Sequence, residues 1–157
     1  MSDMIRVIHQ FAGRTDDVFA LYQSAWWARD RSRASVATML ATTPVLVGLI
    51  DPRTDELIGF CRALTDQTFL AIILDVIVAP ARRGEGLGAR LLDEVLGIAE
   101  VRRAASIELV CQPELIPFYQ RWGFTDSVGR SRLMRRASVE SEQAPPTDDS
   151  TNGDPGR

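Results

Sequence analysis

Three glycines at alternate positions, Gly84, Gly86 and Gly88, stand in the stretch Val78-Ala79-Pro80-Ala81-Arg82-Arg83-Gly84-Glu85-Gly86-Leu87-Gly88-Ala89-Arg90-Leu91-Leu92, with two arginines directly before them. Glycine has no side chain to hold a ligand off the backbone, so neighbouring N–H groups can close on an anion. The residues that follow read as an amphipathic helix, whose first turn adds unpaired donors and the positive end of the helix dipole. The chemistry that suits this pattern is the binding of a phosphate or pyrophosphate. The stretch is not a Walker loop, because the Gly-Lys-Ser/Thr ending is absent, and its spacing does not fit the dinucleotide fingerprint that opens a Rossmann fold.

Other reactive side chains narrow the chemistry further. All 18 basic residues are arginine, so a lysine Schiff base is excluded. Cys61 and Cys111 are far apart, lack the paired spacing of a zinc site and lie in apolar stretches. They read as buried thiols of a reducing compartment, which makes the cytoplasm the expected location and a metal site unexpected. His9, the single histidine, belongs to a first strand far from the glycine stretch and reads as structural or exposed.

The elements that must position the glycine stretch follow from periodicity. A chain of 157 residues, 45% hydrophobic and 25% charged, has the size and composition of one globular domain. No apolar run approaches the roughly 18 residues of a membrane span, so no membrane is expected as a partner. Residues 137–157 carry five acidic side chains against Arg157 and almost nothing to bury, which predicts a disordered acidic tail. The remaining 1–136 hold 17 basic and 16 acidic residues, a balance that offers nucleic acid little attraction.

Within 1–136, Met4 to His9 reads as a strand, and Thr15-Asp16-Asp17 as the capped start of a helix carrying Val18, Leu21, Tyr22 and Ala25. A second helix is predicted over Ser35–Ala41. Val45–Ile50, Leu57–Leu64 and Thr68–Val78, separated by turn residues, predict a three-stranded antiparallel meander. Leu87, Leu91, Leu92, Val95, Leu96 and Ala99 form the stripe of an amphipathic helix. Ile107–Cys111 reads as a buried strand parallel to the one before that helix. Pro117–Trp122 reads as a short helix ended by Gly123, with final strands from Phe124 onward and over Arg130–Arg136.

Arg83-Gly84-Glu85-Gly86-Leu87-Gly88 resembles the Arg/Gln-x-x-Gly-x-Gly/Ala signature of the GNAT superfamily of acetyl-CoA-dependent N-acetyltransferases. The Val-x-Pro before it and Pro117-Phe118-Tyr119-Gln120-Arg121-Trp122-Gly123-Phe124 after it strengthen the likeness, which runs from about Asp75 to Phe124. The resemblance implies an α/β fold over 1–136. Its mixed, mostly antiparallel sheet has about seven strands, flanked by about four helices and splayed between the fourth and fifth strands. It implies acetyl-CoA as cosubstrate, held by Val76, Ile77 and Val78 along its pantetheine arm and by Arg83, Gly84, Glu85, Gly86, Leu87, Gly88 and Ala89 at its pyrophosphate. Tyr119 takes the family position whose phenol protonates the departing thiolate.

Departures from the family are also visible. Glu114-Leu115-Ile116 stands where many members carry an Asn that touches the cofactor, and Ile72 and Leu74 stand where some carry Glu or His. Asp75, beside Val76, is the first candidate for a general base, although strand alternation turns it away from Val76 unless a bulge intervenes. Asp66 is a weaker candidate. The acceptor side implied by the resemblance is framed by the first two helices and the loop between them, here residues 21–33, with Tyr22, Trp26, Trp27 and Arg29 as candidate lining; Arg29, Arg31 and Arg33 suit an anionic group on either substrate. The expected reaction is acetyl transfer to a primary amine of a small molecule. A protein or peptide N-terminal acceptor, and an acyl-CoA-binding module without turnover, stay open as alternatives. Dimers are common in the family, so a homodimer is compatible with this reading.

Overall fold

The computed structural model describes residues 4–138, which form two units that part between Cys111 and Gln112. In the first, β1 (Arg6–Ile8), α1 (Thr15–Gln23) and α2 (Arg33–Thr42) precede the meander β2 (Val45–Asp51), β3 (Glu56–Thr65) and β4 (Leu70–Val78). The helices α3 (Leu87–Gly97) and α4 (Ala99–Arg102) then lead to β5 (Ser106–Leu109). The sheet order is β1-β2-β3-β4-β5, antiparallel throughout except for the parallel pair β4–β5.

Side chains set both turns of the meander. Asp66 Oδ1 accepts from the backbone N–H groups of Thr68, Phe69 and Leu70 at 2.9, 2.7 and 3.0 Å, which fixes the reversal from β3 to β4. Asp51 Oδ1 accepts from the Arg53 N–H at 2.9 Å in the reversal before it.

Strand alternation sends neighbouring residues to opposite faces. Phe60 packs edge-on against Tyr22 of α1 at 5.9 Å and Phe11 at 5.4 Å, in a core shared with Val18, Leu21, Val36 and Ile77. The next residue, Cys61, turns to the other face, where its Sγ lies 4.0 Å from the Leu91 carbonyl of α3. The apolar stripe of α3 buries Leu87, Leu91, Leu92 and Val95 there.

Several boundaries differ from expectation. Thr15 is already helical, and Arg14 holds the cap position of α1 with no side-chain capping bond. Ser32 caps α2 by accepting from the Ser35 N–H at 3.1 Å, so that helix starts earlier than expected. The helix expected to run through Ala99 breaks at Ile98, whose backbone is extended, directly after Gly97.

The second unit, described by itself, holds α5 (Ile116–Gln120) and an aromatic group. Phe118 lies 5.0 Å from both Tyr119 and Trp122, and Tyr119 lies 6.2 Å from Phe124. The strands expected after Phe124 do not form among the described residues, so the sheet has five strands where about seven were expected. Leu133 and Met134, the apolar pair within Arg130–Arg136, are adjacent and would face opposite ways on a strand, leaving neither face apolar. Both are exposed. The predicted acidic tail lies outside the described residues from 139 onward.

Gly48 of β2 sits where β1, β2 and β3 crowd: a Cβ there would lie 2.7 Å from Phe11 Cζ and 2.9 Å from Ile8 Cγ1. Gly48→Val is expected to lower the unfolding free energy by about 2 kcal/mol in urea titrations, through overpacking.

Candidate functional site

The β4 strand changes character halfway along. Up to Ile73 it pairs with β5, the last partners being Ile73 and Leu109. From Leu74 to Val78 that edge has no strand partner among the described residues, while Ile77 and Val78 stay paired to Phe60 and Gly59 of β3 on the other edge. The ladder with β3 shifts register between Phe60 and Arg62, where Asp75 adopts φ 56°. This is a β-bulge whose extra residue is left-handed, a conformation that aspartate tolerates better than most side chains. It turns the Asp75 carboxylate onto the α1 face, away from the side that plain alternation gives.

The carboxylate is there enclosed by donors from three other elements. Asp75 Oδ2 accepts from Tyr22 Oη at 2.8 Å, Arg31 Nη1 at 2.8 Å and Arg62 Nε at 2.6 Å, and Oδ1 accepts from Arg31 Nη2 at 3.3 Å. Its side chain is 6% exposed. Burial opposes its charge, but the hydrogen bonds from Arg31, Arg62 and Tyr22 outweigh burial and hold the pKa below the ordinary carboxylate value. Burial and the neighbouring carboxylate push the Tyr22 phenol up, so it stays protonated as a donor. The Arg31 guanidinium lies over the Tyr22 ring at 4.7 Å and the Trp27 ring at 5.3 Å.

The aromatic residues expected to line an acceptor surface therefore divide. Tyr22 is 1% exposed and works from inside the core, whereas Trp27 is 37% and Trp26 65% exposed. Arg29 is exposed beside them, and Arg33 is engaged with Asp16. Asp66 is committed to its turn; the N–H groups of Leu70, Thr68 and Phe69 hold its pKa down.

Beyond Val78, a short turn at Pro80–Arg82 leads to the glycine stretch. Gly84 and Gly86 have φ 82° and 78°, and a Cβ at either would meet nothing within 4 Å. Both positions thus need glycine for conformation and face open space, as a backbone cradle for a ligand requires. Gly86 occupies the cap position of α3 with no side-chain cap, so the N–H groups of the first turn have no capping side chain. Leu87 is buried and offers only its backbone, while Gly88 and Ala89 are half-buried. Arg82 ties the stretch to the sheet: Nη1 reaches Asp51 Oδ2 and Nε reaches Glu85 Oε2, both at 2.7 Å. Hydrogen bonds from the Arg53 side chain and backbone, with Arg82, hold Asp51 at a pKa of about 2. Arg83 is exposed and makes no ion pair among the described residues.

Cys61 is fully buried, and burial followed by the nearby Asp75 charge pushes its thiol pKa up. In the second unit Tyr119 is buried on α5 between Phe118 and Phe124.

The family model for the acetyltransferase (GNAT) family matches residues 13–124. The chain belongs to this family. An "uncharacterized N-acetyltransferase ycf52-like" of Prochlorococcus marinus is 36% identical over 107 residues, covering 67% of this chain and 59% of that protein. The "histone acetyltransferase TAP1" of Glycine max is 29% identical over 130 residues, covering 76% of this chain and 56% of that one. The chain thus spans about 60% of the length of the curated relatives it matches. Among solved structures, a GNAT-family acetyltransferase of Xanthomonas campestris superposes with a TM-score of 0.75 at 23% identity, covering 86% of this chain and 94% of that one, a likeness of fold.

The GNAT fold thus brings Val76–Val78 and the Arg83–Ala89 stretch into one continuous segment. Sequence reasoning missed Arg62 and Asp51 as partners of the site, and it matched Arg31 to a substrate anion where the structure pairs it with Asp75. Arg62 had a signal, a lone charge in the otherwise apolar run Leu57–Leu64.

Gly86→Val is expected to weaken CoA binding at least 100-fold by calorimetry while the protein remains folded, because the valine strains a positive φ and fills the cradle. A second expectation concerns acid. Asp75 is ionised in the folded state below the pKa of the unfolded chain, so its stabilisation is complete above about pH 4 and fades as pH falls through the folded value. Asp75→Asn should lower the melting temperature clearly at pH 7, and the gap to wild type should narrow as pH drops below about 4.

Proposed function

We propose that this chain transfers the acetyl group of acetyl-CoA to a primary amine of a small molecule, by direct attack in a ternary complex. The observation that carries the reading is one continuous stretch: the unpaired edge of β4 runs through Val78 into the positive-φ glycines and the uncapped start of α3. An extended arm suits the first part, as an added strand on backbone groups of Val76 and Val78. A pyrophosphate suits the second, on the N–H groups of Gly84, Gly86, Gly88 and Ala89 with Arg83 alongside. Acetyl-CoA supplies both groups and an activated thioester.

The amine nitrogen attacks the thioester carbonyl, whose developing negative charge is received by the Val76 N–H; the C–S bond then breaks and the thiolate takes a proton. Tyr119 is assigned that proton transfer from its place in the Pro-Phe-Tyr-Gln-Arg-Trp-Gly-Phe segment, since a phenol is uncharged at neutral pH and can donate. Asp75 is a positioning residue in this account. A carboxylate already held by three donors is a weak proton acceptor, so the ammonium proton of the acceptor leaves to water. Cys61, buried with a raised pKa, is unsuited to carrying an acyl group, which supports direct transfer.

The soybean relative's name raises a protein acceptor as a second reading. The two arginines against one carboxylate at Asp75 argue against a lysine-rich tail, which that charge repels.

Release of free CoA thiol from acetyl-CoA across arylalkylamines, polyamines, amino sugars, amino acids and short peptides tests the proposal. Turnover is expected on at least one small amine, with kcat about 100-fold or more lower in Tyr119→Phe and CoA affinity unchanged. Turnover confined to peptides would favour the second reading, and unchanged kcat in Tyr119→Phe would remove the assigned acid.

A further inference from the structure

The Asp75 cluster is not electrically closed. Arg31 and Arg62 bring two positive charges to one carboxylate, and neither arginine has another ion pair among the described residues. Arg62 reaches Asp75 through Nε alone. Its two terminal nitrogens make no hydrogen bond among the described residues. No buried side-chain nitrogen or oxygen there lacks a partner, so solvent reaches these two. The Arg62 side chain is 16% exposed, so this edge of the planar guanidinium is partly open to solvent, its position fixed by Asp75.

The surface beside that edge is apolar. Arg62 pairs with Leu74 in the β3–β4 ladder, and the next pair on the same face is Leu64 with Ile72. Leu64 and Ile72, with Leu70, Thr65 and Asp66, line an open cavity of about 320 Å³. Leu64 is 42% exposed although it lies in the sheet. The carboxylate of Asp66, the acidic group of this lining, is engaged by three N–H groups of its own turn.

We propose that the acceptor carries a carboxylate beside its amine, received by the partly open edge of Arg62 with Arg31 alongside, and an apolar side chain that lies over Leu64, Leu70 and Ile72. This rests on the acetyl-transfer reading and narrows its acceptor to a hydrophobic amino acid. Planar pairing of guanidinium with carboxylate supplies the selectivity, because a neutral amide leaves the Arg62 edge without its charged partner. Asp75 matters to this role by holding Arg62 and Arg31 in place.

The test compares two product analogues that differ only in the anion, N-acetyl-leucine and N-acetyl-leucinamide, by calorimetry on the full chain with CoA present. The carboxylate is expected to bind at least tenfold more tightly, and Arg62→Gln should bring the two within about threefold of each other while CoA affinity stays unchanged. Arg62→Lys, which keeps a charge beside Asp75, should fold even if the glutamine variant does not, and should lose at least threefold of the preference with the planar fork. Equal binding of the two analogues, tighter binding of the amide, no binding of either, or a preference untouched by both variants would overturn the proposal. A separate thiol-release assay on leucine and leucinamide reads the acetyl-transfer reading itself. No turnover on these two while another amine of the wider panel is acetylated would overturn the acceptor proposal alone; no turnover on any amine, with the carboxylate preference present, would sink the enzyme reading and keep the anion site.

Discussion

The direction in which one carboxylate points governs the middle of this molecule. Asp75 belongs to a strand whose pleat would send it away from α1, and a single left-handed residue turns it back. Such a backbone costs on the order of 1–2 kcal/mol for a side chain other than glycine. Four hydrogen bonds from Tyr22, Arg31 and Arg62 offset that cost and fasten α1, the segment before α2, β3 and β4 to one point. The bulge lies just past the last pair of the β4–β5 ladder, so the same stretch of β4 both anchors the segment that presents Trp26 and Trp27 and leaves its other edge unpaired.

From that edge the chain passes without interruption into the glycine stretch. Two positions there adopt backbone conformations that side chains resist, and both look onto open space. The stretch is not left to its own flexibility, since Arg82 joins it to Asp51 at the end of β2 and to Glu85 within the stretch itself. Asp51 and Asp75 thus perform comparable tasks at the two ends of the site. Each is a buried anion held ionised by arginines, and each fixes an element whose backbone, more than its side chains, faces the proposed ligand.

Much of this was legible in the sequence because it depends on local spacing. The meander, the apolar stripe of α3, the parallel β5 and the glycine stretch follow from periods of 2 and 3.6 and from glycine at alternate positions. The sequence also posed the right question at Asp75, whose role depended on whether a bulge intervened. It could not answer, because the donors that make the bulge worthwhile lie 13, 44 and 53 residues away. Tyr22 was read as acceptor lining for the same reason: its spacing on α1 shows a face, and only the fold shows that Phe60 and Asp75 occupy that face. The final strands, expected from Phe124 onward and over Arg130–Arg136, had weak support, since Leu133 and Met134 supply no alternation to sustain them.

The account's central claim is that backbone amides between Val76 and Ala89 receive the acyl donor. The most direct measurement is a titration of the uniformly ¹⁵N-labelled protein with CoA, following amide resonances. The account predicts the largest shifts at Val76, Val78, Gly84, Gly86, Gly88 and Ala89. Large shifts confined to other segments, with these six amides unmoved at saturation, would contradict it.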